Sequence, residues 1–336
     1  METGMQEPQV FQRDSTIVDR FGRKIDYLRI SVTDRCNLKC IYCMPPEGIE
    51  LFQRDRMLTF EEMERFSRIA INLGVKKIKL TGGEPLVRKG IADFIASLRK
   101  IEGLEDLSLT TNGTFLEDLA DELKASGIVR INVSLDSLDH ERYREITRGG
   151  DLNRVLRGIN KALEVGFKVK INTVVLSSLS EKEIFHLIEF GRDKNLEVRF
   201  IEFMPLCGNG WRRDFFAPIT YIKSKIEQRY RLSDLDNNGV AVRYAIDGGG
   251  IIGFITSVSE PFCSNCSRLR LTARGTLRPC LFSSLEINIF PLLRTGAPDM
   301  EIVRAIGKAV YMKPAWNPVL RGTEDPKKVF IRNIGG

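Results

Sequence analysis

The chain has 336 residues, 43% of them hydrophobic, enough for about two domains with a sizeable core. No apolar run approaches the ~20 residues of a membrane span. The N-terminus lacks the basic start and apolar core of a secretory leader, so a cytoplasmic protein with no membrane contact is expected. The formal charge is +7, but the 51 basic residues are mixed with 44 acidic ones and form no long basic block. That balance fits a basic pocket for a small polyanion as well as a nucleic-acid surface. Local placement has to decide between them.

In chain order, residues 1–20 read as an N-terminal extension. From about residue 27 to 230, short apolar runs alternate with longer amphipathic stretches. Strands are expected over 28–33, 77–80, 106–110, 130–135, 168–175 and 197–203. Helices are expected over 59–73, 91–101, 116–125, 152–165, 181–194 and 221–229. Gly74, Gly127 and Gly166 each follow a helix, where a left-handed terminating residue is expected. Strands of four to eight residues separated by helices imply a parallel sheet built from βα units. Six such units predict an α/β fold, an incomplete (β/α)6 barrel over 21–235, since a closed barrel needs eight. After about residue 230 the rhythm changes. Strand-like runs at 240–246, 250–255 and 269–273 and a helix near 300–310 predict a smaller C-terminal segment over 236–336. The last residues, Arg332-Asn-Ile-Gly-Gly, are small and read first as a frayed end.

Seven cysteines fall into two triads and a remainder, Cys207. Reduced cytosolic thiols grouped in this way point to metal and not to disulfides. Cys36, Cys40 and Cys43 have the spacing C-x3-C-x2-C and follow the first strand directly, at the face where β/α barrels place their active sites. A zinc site there would have to recruit a distant ligand, and the chain has only two histidines, His140 and His186. Three thiolates on a four-iron cluster leave one iron open. Cys263, Cys266 and Cys280, C-x2-C-x13-C, equally form half of a zinc ribbon with its last ligand absent. Arg268 and Arg270 alternate just after Cys266, so both face one side of a strand. With Arg29 and Arg199 on other strands they make a cationic lining suited to phosphate.

C-x3-C-x2-C with Tyr42 before its last cysteine resembles the signature of the radical S-adenosylmethionine enzymes. The resemblance implies a [4Fe-4S] cluster on Cys36, Cys40 and Cys43 whose open iron chelates S-adenosylmethionine and, when reduced, cleaves it to a 5′-deoxyadenosyl radical. Thr81-Gly-Gly-Glu-Pro after the second strand is similar to the family's methionine-binding motif, so Gly83 and Glu84 are expected at the cofactor. On the same pattern Tyr42, Thr110, Asn112, Ser134, Lys170 and Met204 are cofactor contacts. Each also reads simply as a cap or turn residue, or as part of a strand.

The longer stretches Leu28-Arg-Ile-Ser-Val-Thr-Asp-Arg-Cys-Asn, Arg199-Phe-Ile-Glu-Phe-Met and Ile255-Thr-Ser-Val-Ser, with the second triad and the terminal Gly335-Gly336, resemble the GTP 3′,8-cyclases of molybdenum-cofactor biosynthesis. That resemblance implies a second [4Fe-4S] cluster on Cys263, Cys266 and Cys280 that binds the guanine base. It implies GTP contacts at Arg29, Lys77, Lys79, Arg199, Arg268 and Arg270, with Arg199, Arg268 and Arg270 catalytic. Lys79 stands where relatives carry arginine, so its contact is a point charge and not a planar fork. The Gly-Gly tail is then expected to reach the active site. A flavodoxin or ferredoxin type reductant, a monomer or homodimer, and transfer of the product to cyclic pyranopterin monophosphate synthase are implied too. The rival readings are a peptide-maturing radical enzyme with auxiliary clusters, and a nonenzymatic iron–sulfur or zinc protein that binds nucleic acid.

Overall fold

Every strand expected in the repeating half forms, with ends displaced by two residues at most. A computed structural model describes residues 16–48, 50–206, 211–236 and 239–325. Cys207 and the Gly-Gly tail lie outside the described residues. The repeating half runs β1 (Tyr27–Ser31), α1 (Phe60–Asn72), β2 (Lys77–Thr81), α2 (Ile91–Arg99), β3 (Asp106–Thr111), α3 (Leu116–Ala125), β4 (Arg130–Ser134), α4 (His140–Thr147), α5 (Leu152–Glu164), β5 (Lys168–Val175), α6 (Glu181–Asp193) and β6 (Glu197–Glu202). Then follow α7 (Ile219–Glu227), β7 (Leu232–Leu235), β8 (Val242–Ile246), β9 (Ile251–Ile255), β10 (Arg268–Leu271), β11 (Thr276–Arg278), β12 (Ile287–Asn288), α8 (Phe290–Arg294) and α9 (Asp299–Tyr311).

Local chemistry sets the boundaries. Thr59 and Glu62 start α1 with a reciprocal capping box, and Ser180 and Glu183 do the same for α6. Gly74, Gly127 and Gly166 close three helices at φ 101°, 89° and 81°. Helix α4 was not expected because its eight residues, HERYREIT, are mostly polar. Asp139 starts it by accepting from the Arg142 amide. Along the strands one face carries Leu28, Ile30, Ile78 and Leu80 into the layer under the helices. The other face carries Arg29, Lys79, Thr110 and Asn172 toward the barrel interior.

Strands β1 to β6 pair in parallel, in chain order. The C-terminal segment extends the sheet at both sides: β10 lies parallel beside β1, and β9 parallel beside β6. The full order is β12-β11-β10-β1-β2-β3-β4-β5-β6-β9-β8-β7. The expected boundary between residues 235 and 236 falls between β7 and its antiparallel partner β8, so barrel and C-terminal segment share one continuous sheet. Helices α8 and α9 return to α1, where Arg294 pairs with Glu62 and Arg65 with Asp299. Among the described residues no helix is long and apolar enough to cross a membrane.

Candidate active site

The cysteine loop after β1 is fixed from two sides. Toward α4, the amides of Lys39 and Ile41 donate to the carbonyls of Thr147 and Ile146 at 3.2 and 2.9 Å. Arg148 donates to the carbonyls of Lys39 and Met44 at 3.1 and 2.8 Å. Toward β2, the Gly-Gly turn lies on the start of the loop: Gly83 N–H donates to Thr33 O at 2.7 Å and Glu84 N–H to Arg35 O at 2.8 Å. A Cβ on Gly83 would stand 2.2 Å from Arg35 O, and one on Gly82 2.7 Å from Thr33 O. The close approach that needs these glycines is thus to the cysteine loop itself.

Glu84 is buried, and both carboxylate oxygens are engaged. Oε1 accepts from Thr111 Oγ1 at 2.7 Å and Leu86 N at 3.0 Å, and Oε2 accepts from Asn112 N at 2.6 Å. Burial nonetheless lifts its pKa to about 7. Tyr42 donates its hydroxyl to Asp136 Oδ2 at 2.7 Å, and Asp136 Oδ1 accepts from Val174 N at 2.9 Å. Burial raises Asp136 to about 6. Cys36, Cys40, Cys43, Tyr42, Gly83, Glu84, Thr110, Asn112, Ser134 and Met204 line one cavity at the C-terminal ends of the strands.

Cys263, Cys266 and Cys280 line a middle cavity with Arg29, Lys79, Arg199, Arg268 and Arg270. Register places Arg270, Arg29 and Lys79 side by side across β10, β1 and β2. Like charges directly opposite are unfavourable in a sheet unless an anion joins them. Burial, then Arg29 and Arg199, press the Lys79 ammonium well below its usual range; burial, then Arg29 and Arg268, do the same to Arg270. Thr110, Asn172, Ile201 and Met204 line both the upper and the middle cavity, so the two triads open on one chamber.

A third cavity lies at the N-terminal ends of the strands and shares Lys79, Arg199, Cys266 and Arg268 with the middle one. Lys77, Arg130, Lys170 and Arg243 complete its basic lining. Glu197 holds three of these cations: Lys170 Nζ at 2.8 Å, Arg199 Nε at 2.5 Å and Arg243 Nε at 3.3 Å. Burial disfavours its charge, but Arg199 and Lys170 outweigh burial and its pKa falls.

The expected site residues therefore divide. Lys170 is not among the lining of the cavity around Cys36, Cys40 and Cys43; it belongs to the basic end with Lys77. Lys77 is half-exposed and pairs with Asp26 at 3.5 Å. Asp136, Asn172, Glu197 and Lys313 were not picked out from the sequence. Asp136 stands two residues past Ser134, just after β4, and that nearness to an expected contact is the one signal the sequence offers for it. Glu202 belongs to the Arg199-Phe-Ile-Glu-Phe-Met stretch. Its carboxylate accepts from Ile219 N at 3.1 Å, Val258 N at 2.8 Å and Ser259 N at 2.9 Å, and so ties β6 to α7 and to the Ile255–Ser259 stretch.

The donor set fits iron–sulfur clusters. All six cysteines of the two triads are free thiols, partly exposed. Among the described residues no group of three His, Cys, Asp or Glu side chains closes on a single-ion position. Hydrogen-bond donors already meet the sulfurs, as cluster thiolates require: Leu38 N on Cys36 at 3.4 Å, Phe282 N on Cys280 at 3.4 Å and Lys313 Nζ on Cys266 at 3.4 Å. Burial pushes the Cys266 thiol up, but Arg268 and Lys313 outweigh it and bring it to about 6.

Comparison with known proteins agrees with this arrangement. Residues 30–191 match the Radical SAM superfamily, and residues 196–318 match Molybdenum Cofactor Synthesis C. The GTP 3′,8-cyclase of Moorella thermoacetica is 44% identical over 323 residues, covering 95% of this chain and 99% of that one. That of Syntrophomonas wolfei is 45% identical over 326 residues, 95% of this chain and 100% of that one. Molybdenum cofactor biosynthesis protein 1 of Dictyostelium discoideum is 42% identical over 307 residues, 89% of this chain and 49% of that one. The crystal structure of Streptococcus suis SuiB bound to precursor peptide SuiA has a TM-score of 0.63 at 17% identity over 91% of this chain and 74% of that one, a likeness of fold alone. The chain belongs to the GTP 3′,8-cyclase family of the radical SAM superfamily.

Proposed function

We propose that this chain is a GTP 3′,8-cyclase, which joins C3′ of the GTP ribose to C8 of guanine and gives 3′,8-cyclo-7,8-dihydro-GTP for molybdenum-cofactor biosynthesis. The observation that carries this reading is the single chamber between two cysteine triads, with Thr110, Asn172, Ile201 and Met204 common to both cavities. When bound, the cluster on Cys36, Cys40 and Cys43 and S-adenosylmethionine supply the hydrogen-abstracting radical, chemistry that no side chain offers. Glu84 and the Gly82-Gly83 turn receive the methionine end, and Tyr42, Asn112, Ser134 and Met204 surround the rest. Cys263, Cys266 and Cys280 would hold a second [4Fe-4S] cluster, which would anchor the guanine base at this end of the chamber.

The triphosphate then runs from Arg29, Arg268 and Arg270 into the basic cavity. There Lys79, Lys170 and Arg199 exchange one another's repulsion for contact with phosphate. Holding base and polyphosphate at separate points brings C3′ to the chamber neck, an entropic contribution of up to ~7–11 kcal/mol. An external flavodoxin or ferredoxin type donor supplies electrons, and cyclic pyranopterin monophosphate synthase consumes the product. The enzyme works in the cytoplasm as a monomer or homodimer.

The test is anaerobic reconstitution followed by a product assay with GTP, S-adenosylmethionine and dithionite. About eight irons per chain and the cyclised nucleotide are expected. Four irons, bound zinc, or turnover of S-adenosylmethionine with GTP unchanged would overturn the reading.

A further inference from the structure

The second triad is served by groups outside its motif. Lys313 is 2% exposed. Its Nζ donates to Cys266 Sγ at 3.4 Å and to the carbonyls of Arg268 and Pro279, both at 2.8 Å. An ammonium has three donors and no acceptor, so these three partners use all of it. Four residues on, Asn317 Oδ1 accepts from Val319 N and Leu320 N at 3.1 and 3.3 Å. Phe282 N meets the third sulfur, Cys280. Two of the three thiols thus have a donor, and the one on Cys266 comes from the strap 313–317 that follows α9.

That strap is itself pinned. Arg23 donates to the carbonyls of Pro314 at 2.7 Å, Ala315 at 3.3 Å and Cys263 at 2.7 Å, and pairs with buried Asp19 at 2.6 Å. Arg23 therefore has its carboxylate. Lys313 has none among the described residues, and its charge faces Cys266 and Cys280. A buried cation is costly unless it is paired. Among the described residues the thiolate site is the only anionic group it meets, so the cation and the site have to be read together.

We infer that Lys313 is a positioning residue for the second cysteine site, its ammonium raising the reduction potential of the cluster held there. This rests on the two-cluster reading above. Net charge and hydrogen bonds to sulfur are what set such potentials, and a cation against one ligand favours the more negative, reduced cluster. Removing the charge should therefore move the potential downward.

The test uses the full chain carrying Cys40→Ala, so that only the second site loads. Iron per chain, the thermal melt and an EPR-monitored redox titration are compared for that parent, for Lys313→Met and for Lys313→Gln. Methionine keeps the length of the side chain, and glutamine keeps a donor without the charge. Both variants are expected to titrate at more negative potential than the parent. A negative shift, or loss of iron from variants that melt as the parent does, supports the role. An unchanged potential with full iron overturns it, and so does collapse of the melt in both variants, which would make Lys313 structural. A parent that binds no iron sinks the two-cluster reading and this inference with it.

Discussion

Glu84 joins the loop after β1, the turn after β2 and the end of β3 by hydrogen bonds, and its protonation couples fold to ligand. In the folded chain its carboxyl is lifted to about 7, against 4.5 ordinarily, by burial. Between those values the folded protein holds a proton that the unfolded chain has lost. Its stability on this account is full below about 4.5 and falls as pH rises through about 7. The ammonium of S-adenosylmethionine favours the carboxylate, so binding at pH 6 should release a proton, and apparent affinity should rise between pH 6 and 8. Calorimetry in two buffers of different ionisation enthalpy measures that proton. Glu84→Gln should abolish the pH dependence and weaken binding at least tenfold, about 1.4 kcal/mol; a variant that keeps the dependence removes Glu84 from the role. On the proposed reading Arg268, stacked 4.6 Å from the Phe262 ring centroid, serves the substrate. Arg268→Ala should lower GTP conversion by roughly 10²-fold or more with iron content unchanged. Normal turnover in that variant ends its assignment.

At the scale of elements, the turn after β2 and the loop after β1 form one unit. In Gly83→Ala the new Cβ must displace the backbone at Arg35, at about 1–3 kcal/mol of strain. Iron at the first triad should fall while the second stays loaded, so iron per chain drops toward about half, with S-adenosylmethionine cleavage falling in step. Full cleavage by this variant would mean the turn tolerates the shift. The βα alternation, the glycine helix ends and the first triad were legible in the sequence because each depends on neighbours within a few residues, and the second triad because cysteines are few enough to stand out across its longer gap. Depth along the barrel was not legible. Lys170 and Asn172 point the same way from β5, yet Asn172 lines the upper and middle cavities and Lys170 the basic one. Two residues along a strand is about 7 Å, and strand stagger decides which cavity a residue meets. Lys313 was hidden for a different reason: it lies 47 residues from Cys266, with no spacing rule to join them.

The whole molecule divides the chemistry between two ends but not between two foldable parts. Cys263→Ser should leave S-adenosylmethionine cleavage intact and abolish GTP conversion, since its triad is not part of the upper cavity. Loss of both activities would argue against separate roles. A chain ending at residue 235 is a different case. It removes β10 from the side of β1 and β9 from the side of β6, leaving two parallel strand edges open at once. It also strips α9, whose Ile302, Ile306 and Val310 are fully buried, from beside α1. Such a chain should aggregate, or melt without cooperativity, and should not cleave S-adenosylmethionine. The control is the full chain with Cys263, Cys266 and Cys280 all replaced by alanine, which keeps every strand and should cleave normally. If the shortened chain is soluble, melts cooperatively and cleaves as the control does, the barrel is a domain in its own right and the continuous sheet is dispensable to it. If only the control cleaves, the C-terminal segment completes the barrel before it contributes any cluster.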